Sequence, residues 1–201
     1  AVDLQSLMAK AGVPPVTLFA PAYNEEATCV ESIRALLALN YPEYEVLVIN
    51  DGSKDSTMEQ LINAFELKPA ARYRVADIDA AAVRGIYRSE FQPNLWVIDK
   101  ENGGKADALN VGLNYCRTPL FCAMDADSIL ERDALIRIVR PFLEDAHTVA
   151  AGGIIRIVND CTLQRGTLTK IRLPKNIWAK FQVLEYLRAF LSGRMGWSAM
   201  N

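Results

Sequence analysis

With 201 residues, 51% of them hydrophobic and 23% charged, the chain has the balance of a soluble globular protein and the length to bury a sizeable core. Its formal net charge of −2 gives no electrostatic footprint for nucleic acid, and a lone histidine, His147, argues against histidine triads and histidine-pair metal sites. Cys29, Cys116, Cys122 and Cys161 have no C-x-x-C spacing and read as buried thiols of a reducing compartment, neither a disulfide framework nor a zinc site.

Residues 1–15 form a lead-in without the charged and apolar regions of a signal peptide. No run reaches the about 18 apolar residues that a membrane helix needs. "VTLFA" (16–20) is a β-rich apolar run that ends in the turn "PAYNEE". "ATCVESIRALLAL" follows, with Val30, Ile33 and Leu37 on one helical face. "EVLVIN" (45–50) predicts a second strand ending at "DGSKDS". The helix "TMEQLINAFEL" then carries Met58, Leu61, Ile62 and Phe65 at core spacing, with Asp55 or Ser56 as N-cap.

Residues 68–94 are the least legible. "RYRVA" has the composition of a short strand, and 77–94 reads as an insertion. "LWVID" (95–99) predicts a strand, "ENGGK" a loop and "ADALNVGLNYC" a helix. "PLFCAMDADSIL" (119–130) holds an apolar strand, Leu120 to Met124, that runs into two carboxylates. A helix with Leu135, Ile138, Val139 and Phe142 inward follows, and then an extended "VAAGGIIRIV".

Short strands alternating with helices imply an α/β core over 16–160, with a mostly parallel sheet covered on both faces. In such sheets ligands bind outside the carboxyl ends of the strands. Four of those ends carry polar residues: "AYNEE", "NDGS", "ENGGK" and "DADS". That shared edge predicts a site for a charged ligand.

Asp125 and Asp127 stand two apart in an extended segment, so they point to one side. Two converging carboxylates repel unless one is protonated or both face a cation, and Mg²⁺ or Mn²⁺ suits such oxygen ligands. On its own the pair reads equally well as loop aspartates, one capping the helix near Glu131. Asp51, in "NDGS", reads by itself as an Asx-turn residue. Lys105 follows two glycines at a helix start, where anions are favoured, and otherwise reads as a solvated loop lysine.

In this order, "PAYNEE", "INDGSKDST", "NGGKADALN" and "MDADS" resemble the nucleotide-sugar-binding half of family 2 glycosyltransferases, from about Val16 onward. Within that family the chain is most similar to the processive bacterial synthases of the hyaluronan, poly-N-acetylglucosamine and cellulose type. The resemblance implies a GT-A fold, a UDP-sugar donor, a carbohydrate acceptor and Mn²⁺ or Mg²⁺ as cofactor. It makes Asp51 the uracil reader, with Ala22 and Tyr23 flanking the base and Glu25 beside the nucleotide. Lys105 then lies near the diphosphate, Asp127 ligates the metal, and Asp125 contacts the metal, its water or the ribose. Asn50 stands where many relatives carry a second aspartate.

The family's T/G-E-D and Q-x-x-R-W segments do not occur, and Gln182 has no R-W partner. The base that deprotonates the acceptor is therefore expected beyond Asn201, and the chain reads as a donor-binding fragment without efficient transfer. The resemblance also implies an intact protein of the bacterial inner membrane, with this domain on the cytoplasmic side.

Residues 161–201 form an amphipathic segment leading toward an acceptor half. Ile177, Phe181, Leu184, Leu187 and Leu191 share a stripe, with Trp178 and several basic residues beside it. Such a stripe suits a membrane surface, the rest of the protein, or self-association. Two other readings remain open: a nucleotide-binding module without catalysis, and a sugar-phosphate nucleotidyltransferase. "FAPAYNEEA" lacks the Gly-rich basic loop of the latter. A dinucleotide-binding dehydrogenase is disfavoured because no G-x-G-x-x-G follows the first strand.

Overall fold

The computed structural model describes residues 12–125, 130–153, 162–164, 167–170 and 176–188. The chain divides into two compact units, Ala1–Ile136 and Arg137–Asn201.

The first unit is built on a six-stranded mixed sheet with the order β3-β4-β5-β2-β1-β6. β1 (Val16–Ala22), β2 (Tyr44–Asp51), β5 (Leu95–Lys100) and β6 (Leu120–Ala123) run parallel. β3 (Leu67–Pro69) and β4 (Val83–Ser89) are antiparallel and form one edge. Val16 to Ala20 and Val46 to Asp51 are buried without a break, the pattern of strands covered on both faces.

Three helices in this unit connect those strands: α1 (Cys29–Leu37), α2 (Thr57–Phe65) and α3 (Lys105–Tyr115). α1 buries Cys29, Ser32, Ile33 and Leu36, so its inward stripe is rotated one residue from the expected Val30–Ile33–Leu37, and small residues fill part of it. α2 buries Leu61 and Phe65, with Met58 and Ile62 half-buried. Below α3, Phe19, Leu47, Ile49, Ile98, Ala108 and Val111 form the core.

One expectation for residues 68–94 is corrected: "RYRVA" is not a strand. The expected insertion, 77–94, contains β4, a member of the main sheet. The strand is masked in the sequence because it alternates Arg84 and Arg88 with half-buried neighbours and carries Gly85 at its centre. Residues 70–82 form a strap pinned to α3. Asn114 exchanges hydrogen bonds with the Ile78 backbone (2.7 and 2.8 Å), and Arg72 donates to Tyr115 O (2.9 Å). Arg72 also forks onto Glu45 (2.5 and 3.0 Å) and lies 4.8 Å over the Trp96 ring.

α4 (Ala134–Glu144) buries Leu135 and Val139, with Ile138 and Phe142 half-buried. In the second unit, β7 (Thr162–Gln164) and β8 (Thr167–Lys170) pair as an antiparallel hairpin absent from the sequence reading. Residues 149–153 of the expected extended stretch are not a strand, and the rest of it lies outside the described residues. α5 (Ile177–Arg188) exposes Ile177, Trp178, Phe181 and Leu184, while Leu191 lies outside the described residues. Among the described residues, no helix is long and apolar enough to cross a membrane.

Candidate functional site

The carboxyl ends of β1, β2, β5 and β6 share one edge of the sheet, and those predicted site residues that lie among the described residues are found there. Ala22 is buried at the end of β1, in register with Asn50 of β2, and Tyr23 beyond it is 44% exposed. Asn24 adopts a left-handed φ of 55°, turning the chain toward the loop after β2.

Side chains lock these two loops together. Asn24 N–H donates to Ser53 Oγ (3.0 Å), and Lys54 N–H donates back to Asn24 Oδ1 (2.9 Å). Glu25 N–H donates to Thr57 Oγ1 (2.8 Å), and Glu25 Oε2 accepts from Thr28 Oγ1 (3.1 Å). Glu26 Oε2 accepts from Ser56 N–H (3.0 Å), while Asp55 accepts from Glu26 N–H (3.1 Å) and Thr57 N–H (3.0 Å). Glu25 and Glu26 are thus partners of backbone and hydroxyl donors around the starts of α1 and α2, where carboxylates also suit the helix dipole.

Asp51 is 3% exposed and anchors the loop after β5. Its Oδ1 takes the Lys100 ammonium and Gly103 N–H (3.0 Å). Its Oδ2 takes Gly104 N–H (2.8 Å) and Asn102 Nδ2 (3.2 Å), and Asn102 Nδ2 also donates to Asp51 O (2.8 Å). Two glycines permit this fold of the loop. Gly52 has φ +67°, and a Cβ there would stand 2.6 Å from Asn102 N; Gly104 has φ +89°.

Lys100, which the sequence reading passed over, is fully buried. Its ammonium lies between Asp51 and Asp107 Oδ1 (2.6 Å) and donates to Glu101 O (2.6 Å). A signal existed: aligning the ends of β2 and β5 makes Asp51 and Lys100 register partners. Asp107 Oδ2 accepts from Ala81 N–H (2.9 Å), which ties the strap to the same cluster. Asn50, also buried, donates to Asp99 Oδ1 (2.6 Å), and its Oδ1 has no hydrogen-bond partner among the described residues.

Burial alone would raise the Asp107 carboxyl, but Lys100 and the Ala81 N–H hold it below its ordinary value of 3.8. For Asp55 burial again acts upward, but the Thr57 hydroxyl and amide and the Glu26 N–H together hold the carboxyl below its ordinary value of 3.8. Because both folded values are depressed, their stabilisation is present above 3.8 and is lost as pH falls below it toward the folded values. Thermal melts from about pH 6 to pH 3 should show this decline, shallower in Asp107→Asn. An acid limb of unchanged slope in that variant would refute the assignment.

Lys105, at the first turn of α3, pairs with Asp125 just past β6. Both side chains are more than half exposed, and Met124 N–H donates to Phe19 O (3.1 Å), carrying the ladder up to Asp125. Asp127 lies outside the described residues. The structure therefore brings Asp51, the Asn102–Gly104 loop, Lys105 and Asp125 to the edge where Ala22, Tyr23 and Glu25 also lie. Among the described residues there is no cluster of three or more metal-ligating side chains.

This is an α/β domain with its polar chemistry concentrated at the carboxyl ends of parallel strands. Residues 17–195 match the model of Glycosyl transferase family 2, and the chain belongs to that family. It is similar to the poly-β-1,6-N-acetyl-D-glucosamine synthase of Staphylococcus epidermidis, 27% identical over 174 residues that make up 87% of this chain and 33% of the relative. The enzyme of the same name from Staphylococcus aureus strain COL is 28% identical over 171 residues, 85% of this chain and 32% of the relative. The chain thus spans about a third of the length of the curated relatives it matches.

Among solved structures, the mannosyltransferase PcManGT of Pyrobaculum calidifontis, in complex with GDP-Man and Mn²⁺, is 26% identical with a TM-score of 0.49. That match covers 63% of this chain and 32% of the other. S. aureus TarS 1–349 in complex with UDP-GlcNAc is 21% identical with a TM-score of 0.46, covering 65% and 31%.

Proposed function

We propose that this chain is the donor-binding part of a polysaccharide synthase, holding a UDP-sugar and a divalent metal ion. The intact protein then transfers the sugar, with inversion, to a growing polysaccharide. The observation that carries this reading is the anchored loop: Asp51 holds Gly103 and Gly104 by their amides and so positions Lys105 beside Asp125. Family membership and the named function of the Staphylococcus relatives support the same reading.

In this reading Asp51 accepts the uracil imide N–H, and Ala22 and Tyr23 flank the base. Glu25 lies beside the nucleotide and stiffens the loop that carries Tyr23, through Thr57 and Thr28. Lys105 meets the diphosphate at the N-terminus of α3, where backbone amides and the helix dipole favour anions.

Asp125 and Asp127 would hold the metal. The donor set fits: hard carboxylate oxygens suit Mg²⁺ or Mn²⁺, and Asp125 already attracts a cation, the Lys105 ammonium. The bound ion would supply charge neutralisation for the departing diphosphate. In this reading a further carboxylate deprotonates the acceptor hydroxyl as it attacks the sugar. The intact synthase is membrane-associated with this domain facing the cytoplasm, and the apolar residues of α5 are its surface toward the membrane or a second copy.

Calorimetric titration tests the reading. UDP should bind in the presence of Mn²⁺, in preference to CDP and GDP, and Asp51→Ala should erase that preference. Equal binding of all three nucleotides would reject the assignment of Asp51. The Staphylococcus relatives make UDP-N-acetylglucosamine the first sugar to try after UDP.

A further inference from the structure

A carboxylate offers about four acceptor positions, and donors from within the chain fill all of them on Asp51. A uracil imide N–H therefore has no free lone pair to meet unless one donor withdraws. The four donors differ greatly in what withdrawal would cost.

Lys100 is fully buried and shared with Asp107, so its departure would leave two carboxylates uncompensated. The Gly103 and Gly104 amides are main-chain groups fixed by the turn that also carries Lys105. Asn102 is different. It is exposed, its bond to Oδ2 is the longest of the four at 3.2 Å, and it already has a second acceptor in Asp51 O at 2.8 Å. If it gives up Oδ2, its nitrogen keeps a protein partner and the freed hydrogen turns to water.

We propose that Asn102 is a specificity-determining residue: its side-chain amide holds the seat on Asp51 that a uracil imide takes, and the two exchange when uridine enters. The inference rests on the reading of Asp51 as the base contact. The amide also satisfies a buried carboxylate that would otherwise lack one partner.

The exchange has a signed consequence. Without the Asn102 amide the seat is held only by untethered water, so UDP gains affinity. CDP gains nothing, because cytosine N3 carries no proton to donate. Simple loosening of the loop would instead weaken both nucleotides alike, through Lys105 and the diphosphate.

The test is calorimetry of the wild-type chain, Asn102→Ala and Asp51→Ala with UDP and CDP at fixed Mn²⁺. The ratio of UDP to CDP affinity should rise on the order of threefold to tenfold in Asn102→Ala. An unchanged or lower ratio there overturns the exchange, while loss of the wild-type preference in Asp51→Ala would still uphold the base contact. A wild-type chain without preference for UDP overturns both. Should Asn102→Ala fail to fold, NMR on the wild-type chain decides: the Asn102 side-chain amide signals should move with UDP and stay with CDP. Signals that respond equally to both nucleotides would reject the exchange.

Discussion

Lys100→Met is expected to destabilise the sheet-bearing unit by about 3–5 kcal/mol, a larger loss than any exposed charge in the molecule should give. Methionine nearly matches lysine in length and would fill the same buried space, so a cavity is not the cause. The cause is electrostatic. Lys100 is fully buried, and its ammonium is the cation between Asp51 and Asp107, whose side chains are 5% and 22% exposed. Removing it leaves two facing carboxylates with no ammonium between them and only their remaining neutral donors to hold them.

For a domain of this size the loss corresponds to a fall in melting temperature of roughly 6 to 20 °C. Asp107→Asn should cost less, because Lys100 retains Asp51 and Glu101 O, and the new amide can still accept from Ala81 N–H. The double variant should be less destabilised than the sum of the two, since methionine and asparagine no longer leave Asp107 as an uncompensated charge. A drop below about 2 °C for Lys100→Met would mean that the ammonium does not stabilise the cluster in solution. Hydrogen exchange gives a second readout: the Gly103 and Gly104 amides, both bonded to Asp51, should lose protection in this variant before the core strands do.

That cluster also marks where the sequence was legible. The parallel strands could be read because each is an unbroken apolar run, buried on both sides, that stops at a polar turn; "VTLFA" and "EVLVIN" leave little else to choose. The polar residues at their ends could be read because topology sends every carboxyl end to one edge. Edge elements were harder. β4 exposes one face, so arginines and Gly85 interrupt its pattern, and β3 is three residues long and ends at Pro69. Lys100 was hidden for another reason: a lysine at a strand end looks like the border of the core, and only register reveals that it faces Asp51. Asp107 has the position of an ordinary first-turn acid of a helix, which gives no sign that it closes the far side of the lysine and fastens the strap through Ala81.

Asp127→Ala should weaken UDP binding at least tenfold in Mn²⁺ and leave the weaker, metal-free binding nearly unchanged. The reasoning begins with charge. A nucleoside diphosphate brings two or more negative charges to an edge where Asp125 is already half exposed and Lys105 is the cation paired with it. One ammonium cannot neutralise both a carboxylate and a diphosphate, so Lys105 serves the phosphates only if another cation takes its place on Asp125. On the proposed reading a divalent ion held by Asp125 and Asp127 would do this, and the two requirements would be coupled: nucleotide and metal should each raise the other's affinity. The coupling separates two roles for the aspartates. If they bind metal, Asp127→Ala abolishes the Mn²⁺ dependence, and chelation brings the wild-type chain to the variant's affinity. If they only shape the turn, both proteins lose affinity in parallel on chelation, and the metal assignment falls. Lys105→Ala should lower UDP affinity in Mn²⁺, where the proposed metal frees the ammonium for the phosphates, and change it little after chelation, where the ammonium stays paired with Asp125.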